Sequence, residues 1–115
     1  MFKIKYSVFA ILLFSIAYSY PQSSHSEMFK SSEFISWQRD SQEYFIRISI
    51  GMAVLIADQN DKTQAACLSD WFGKDEAAAY NRILETMKRF PDYHPRGVIL
   101  AVAEKQCGPF IYAGR

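Results

Sequence analysis

The sequence predicts an all-α fold, a small bundle of about four helices with one disulfide, preceded by a cleaved signal peptide. Three observations predict it. Apolar residues recur at helical spacing through residues 41–58 and 76–90, two cysteines stand at 67 and 107, and the chain opens on a charged and then apolar leader. Residues 1–19 are expected to be the signal, 20–31 a mobile stretch behind the cleavage point, and 32–115 the folded domain.

In the leader, Lys3 and Lys5 supply positive charge, YSVFAILLFSIAY is the apolar core, and Ala17 and Ser19 put small residues where a signal peptidase cuts. A core of about 13 residues is shorter than the roughly 17 to 25 that span hydrocarbon, so no stable membrane anchor is expected after cleavage. No cysteine follows the core to carry a lipid, and the product is expected to be soluble. Residues 20–115 suffice for one hydrophobic core and not for two. Two of the 13 basic side chains lie in the leader, which leaves the rest just short of the 12 acidic ones. That balance excludes the electrostatic footprint of a nucleic-acid binder.

YPQSSHSEMFKS, residues 20–31, is serine-rich and without sustained periodicity, and its His25 reads as solvated. A short first helix is expected to start at Ser31 or Ser32, either hydroxyl serving as cap, with Phe34, Ile35 and Trp37 as its apolar surface. The second helix, about Ser41 to Asp58, is the most apolar stretch beyond the leader. Phe45, Ile48, Met52 and Leu55 form one stripe and Ile46, Ile50 and Val54 the next, which predicts a central helix wrapped on most sides. Ile46, Ile48 and Ile50 also alternate as in a strand, but the pattern runs too long and a lone strand would leave its backbone unpaired. Gly51 weakens a helix and predicts close approach of another helix there. Glu43 is expected to pair with Arg47.

Residues 58–66 read as a polar connection and CLSDWFGKDEA as a loop in which Ser69 or Asp75 caps the next helix. Trp71 and Phe72 in that loop either cover the end of the core, the favoured reading, or form an exposed anchor for another protein. Helix three, Glu76 to Phe90, directs Tyr80, Ile83, Leu84, Met87 and Phe90 inward and pairs Glu85 with Arg89. Pro91 ends it and Pro95 starts helix four, whose inward residues are Val98, Ala101 and Val102 and whose stop is Gly108-Pro109. The corner Asp92–His94 thus folds helix four back on helix three. Cys67 and Cys107 are then expected at the same open end of that hairpin, bridged in an oxidising compartment.

The chain has no CxxC, HExxH, GxSxG or glycine-rich phosphate loop, and its two histidines are far apart. No catalytic residue, metal site or cofactor is expected, and His94 reads as a capping or surface residue.

The order of an export signal, the glycine-bearing apolar helix YFIRISIGMAVLI, CLSDWFGKDEAAAYNRIL and RFPDYHPRGVILAVAEKQC resembles the Rap/Tai immunity proteins of type VI secretion. The resemblance covers roughly residues 32 to 107, with Phe90-Pro91 at the family's His-Pro position and Cys107 at its terminal cysteine. Where many members carry a second cysteine pair, Trp37 and Phe45 stand here, which predicts aromatic packing in place of a bridge. The resemblance implies a periplasmic helical protein, often a homodimer, that occludes the cleft of a cell-wall amidase effector without chemistry of its own. The expected contact residues are Asp70, Trp71, Phe72, Lys74 and Asp75, and secondly Tyr93, His94 and Arg96. A periplasmic acid-stress chaperone, which can also be a small helical protein with one disulfide, is the alternative.

Overall fold

In the computed structural model, which describes residues 28–113, five α-helices follow in order: α1 (Ser31–Ile35), α2 (Arg39–Asn60), α3 (Lys62–Lys74), α4 (Glu76–Arg89) and α5 (Pro95–Cys107). A 3-10 turn, Ile111–Ala113, ends the described chain. No strand occurs among the described residues, so the all-α expectation holds. The segment expected to be a signal, its expected cleavage point and His25 lie outside them. No described helix is long and apolar enough to cross a membrane.

The polar connection and loop expected between residues 58 and 75 are instead a 13-residue helix, α3. Asp61 starts it, its carboxylate accepting from the Gln64 N–H at 3.1 Å. Ala65, Leu68 and Phe72 form the narrow stripe it buries. Ser69 lies inside this helix, and Asp75 is the cap of α4, accepting from the Ala78 N–H at 3.1 Å. α2 and α3 fold back on each other through Asp61 alone and share the most extensive helix contact of the bundle.

α2 is rotated from its expected setting. Its buried residues are Gln42, Ile46, Ser49, Ile50, Ala53 and Ala57, whereas Ile48, Met52 and Leu55 of the expected core stripe are 45, 53 and 63 % exposed. Small residues on the inner face let α3 approach closely, which sends the bulkier stripe outward. No helix approaches Gly51: a Cβ built there meets nothing within 4 Å. Arg47 pairs with Glu76 at 3.5 Å and Glu43 with Arg39 at 3.7 Å, not with each other. On α4, Glu85 pairs with Lys88 at 3.0 Å in place of Arg89.

Tyr80, Ile83, Leu84 and Met87 are buried as expected; Phe90, just past the end of α4, is 48 % exposed. On α5 Val98 and Val102 are buried, but Ala101 is exposed, and Ile99 and Ala103 complete the inner face. Cys67 and Cys107 are bridged with their Cα atoms 5.7 Å apart. Because Cys67 is within α3, the bridge ties α3 to the end of α5 and does not close an α4–α5 mouth. Gln64, 5 % exposed, secures the same end: its amide donates to the carbonyls of Gly108 at 2.9 Å and Pro109 at 3.2 Å, while the Tyr112 hydroxyl donates to its oxygen at 2.6 Å.

The folded domain begins earlier than expected. Phe29 stacks on Trp37 at 5.2 Å between ring centroids and meets Phe34, Phe45 and His94 edge-on, so this end of the 20–31 stretch is packed. Ser31 does not cap α1. Its hydroxyl and its N–H both donate to the Tyr93 carbonyl at 2.8 Å, and the Ser32 N–H donates to the Pro91 carbonyl at 3.0 Å. Buried Gln42 donates from its amide to the carbonyls of Phe34 and Ile35, both at 3.0 Å, which closes the other end of α1. Trp37 and Phe45 do pack, edge to face at 5.9 Å.

Tyr80 is 2 % exposed, and its hydroxyl is buried without a hydrogen-bond partner although Arg47 is near. Burial first, and the Glu76 carboxylate second, push its phenol above the ordinary tyrosine range. The folded chain therefore keeps a proton that the unfolded chain releases near pH 10, so the contribution of Tyr80 to stability is constant below about pH 10 and is lost as pH rises past it. Tyr80→Phe should remove much of that alkaline loss and change stability at neutral pH by less than about 1 kcal/mol. Tyr112, also shifted upward by burial, retains the remainder. Urea midpoints of both proteins at pH 7 and 11 check this; equal alkaline losses would count against it.

Candidate partner-binding surface

The Pro91–His94 corner is built from both sides. Pro91 and Pro95 fix the two helix ends, and His94 caps α5, its Nδ1 accepting from the Arg96 N–H at 3.1 Å. α1 covers the corner's backbone through Ser31 and Ser32, which leaves the side chains of Phe90 and Tyr93 outside. These two rings meet edge to face at 5.8 Å, with Tyr93 62 % exposed. A rigid aromatic pair held half out of the protein is the kind of group that anchors a protein interface.

Beside the pair runs a groove between α4 and α5. Its apolar end, about 220 Å³, is lined by Phe90 and Tyr93 and by Gly97 and Ala101, where no side chain and a single methyl group leave it open. The adjoining hollow of about 500 Å³ shares Phe90 and Ala101 and carries Arg82, Arg89 and Lys105 on its walls together with Glu85, which pairs with Lys88. A third hollow shares Arg82 and reaches Trp71, Lys74 and Asp75. The two segments expected to touch a partner thus lie at opposite ends of one face.

They do not lie there whole. Phe72 is 8 % exposed and packs edge-on against Tyr80 at 5.5 Å, as the core reading of that aromatic expected, while Trp71 is half-buried at the rim. Asp70 and Lys74 are exposed, and Asp75 is engaged as the α4 cap. Arg96 turns away from Tyr93 to lie over the Phe45 ring at 4.9 Å, and His94 faces Phe29. Phe90 and Ala101, expected to face inward, are exposed at this groove instead, and Gly97 is a further lining residue that the spacing does not mark. The signal that would have found Phe90 is Pro91 itself, because the residue before a proline leaves helical angles and so leaves the stripe.

Among the described residues no group of three or more His, Cys, Asp or Glu side chains is placed to hold a metal ion. The bridged cysteines leave no free thiol there. The chain matches no family model. No curated protein and no solved structure matches it significantly either.

Proposed function

We propose that this chain is an exported, periplasmic immunity protein that binds a cell-wall amidase effector of type VI secretion and occludes its cleft. The observation that carries the reading is the Phe90–Tyr93 pair, held outward on a disulfide-tied scaffold at the mouth of the α4–α5 groove. Inhibition by occlusion needs stiffness and a protruding contact, and this corner offers both without any reacting group. The aromatic pair would enter the cleft, and the basic wall of Arg82, Arg89 and Lys105 would face acidic groups at its rim.

The test is a titration of the purified protein against purified cell-wall amidase effectors of type VI secretion, read by calorimetry and by hydrolysis of peptidoglycan. The Phe90→Ala, Tyr93→Ala double variant is expected to weaken binding at least about thirtyfold while the urea midpoint stays close to wild type. Unchanged affinity would move the contact off this corner. Suppression of client aggregation at acidic pH, with no amidase complex, would favour the chaperone alternative.

A further inference from the structure

Where the start of α2 meets the start of α5, Trp37, Tyr44, Phe45 and Ile48 wall an open hollow of about 550 Å³. That volume lies within the roughly 300–1,000 Å³ in which small ligands bind, and three aromatic rings supply the apolar lining such sites share. The rings are fixed. Phe29 stacks on Trp37 at 5.2 Å and Phe45 meets it edge to face at 5.9 Å, yet Trp37 is 40 % and Tyr44 66 % exposed.

Two charges of opposite sign line the same hollow, Asp40 and Arg96, and they do not pair with each other. Arg96 holds its guanidinium 4.9 Å above the Phe45 ring and has no carboxylate partner among the described residues. Asp40 accepts from the Ser41 N–H at 2.9 Å through one carboxylate oxygen and has no cation beside it among the described residues. The neighbouring charges of α2 are engaged elsewhere, Arg39 with Glu43 and Arg47 with Glu76. An aromatic hollow lined by one uncompensated acid and one uncompensated base is the complement of a zwitterion with an apolar body.

Helix geometry sets the length of that zwitterion. Phe45, on which Arg96 rests, is five residues along α2 from Asp40. Five residues rise about 7.5 Å, close to the roughly 7 Å that two extended residues span. A single amino acid, with both charges on one carbon, is too short, and the terminus of a protein brings only one charge.

We propose that this hollow binds a free peptide about two residues long with an apolar side chain. Its ammonium group lies on Asp40, its carboxylate on Arg96, and its side chain against Trp37, Tyr44 and Ile48. A guanidinium gives a carboxylate two parallel hydrogen bonds, and resting on Phe45 orients it without neutralising it. Ser41, exposed at the same hollow, offers its hydroxyl to the peptide carbonyl. A sugar acid would use Arg96 but leave Asp40 without a counter-charge. The site includes neither Phe90 nor Tyr93 and does not depend on the inhibitor reading.

Titration of the purified, oxidised protein with alanyl-phenylalanine, followed by NMR at low salt, tests it. The Trp37 indole N–H and the amides of Ser41 and Tyr44 are expected to shift with a Kd on the order of 0.1–1 mM, as suits a ligand of this size. Acetylating the peptide's amine or amidating its carboxylate should each raise Kd at least about fivefold, and so should Asp40→Asn and Arg96→Gln. Both side chains are exposed, so the urea midpoints should stay at the wild-type value. Absence of these shifts up to about 10 mM peptide overturns the proposal, as does an unchanged Kd in either variant. Equal binding of either blocked peptide would reduce the site to a contact with one charged terminus, and tighter binding of glucuronate would assign it to a sugar; each of these also overturns it.

Discussion

Replacing both Cys67 and Cys107 by serine is expected to lower the unfolding free energy by about 4 kcal/mol, the largest effect of any exposed-chemistry change in this protein. The bridge closes a loop with a sequence separation of 40, and in the chain-entropy account the loss scales with the logarithm of that length. A small domain has only about 5–15 kcal/mol in total, so the variant should be marginal at 37 °C. Local structure sharpens the expectation. The bridge and Gln64 together hold the end of α5 and the 108–112 tail to α3, so the tail should be the first segment to open. Urea unfolding with and without reductant, and of the serine pair, is the measurement. A loss below about 1 kcal/mol would mean that the unfolded chain is already restrained.

Phe34→Ala is expected to cost about 3–5 kcal/mol, comparable with the bridge. Phe34 is fully buried and touches Trp37 at 5.0 Å and Phe45 at 5.1 Å between ring centroids. α1 has five residues, far too few to be helical without tertiary support, so removing its one fully buried apolar anchor should undock it as a unit. Ser31 and Ser32 would then release the carbonyls of Tyr93 and Pro91, and the corner that presents Phe90 and Tyr93 would loosen. The amides of Ser31 and Ser32 should exchange with solvent much faster than in the wild type, ahead of those in α4. If they keep their protection while stability falls, α1 is held by Gln42 and the backbone contacts and not by Phe34.

Several features of the fold were legible because they are local. Pro91 and Pro95 fix a helix end and a helix start through the geometry of their own rings, and Tyr80, Ile83, Leu84 and Met87 mark one buried face because polar side chains fill the other. α3 was not legible: the polar run 58–66 and the stretch CLSDWFGKDEA suggested connections, and a stripe of Ala65, Leu68 and Phe72 is too narrow to announce itself. The orientation of α2 was not legible either. Both of its faces are apolar, so periodicity could establish the helix but not choose its inner side. The candidate surface inherits that limit, since Arg96 and His94 are drawn toward Phe45 and Phe29 by contacts that no spacing reveals.

By itself, then, the amino-acid order determined that this chain is helical, where its proline corner falls and which two sulfur atoms join, because each follows from local geometry or from there being a single pair to make. Tertiary packing decided which side of α2 faces solvent, that Phe72 turns inward while Phe90 turns out, and that a groove opens between α4 and α5. Those outcomes depend on how closely neighbouring helices can approach, which small residues such as Ala53 and Ala57 set only when a partner helix lies against them.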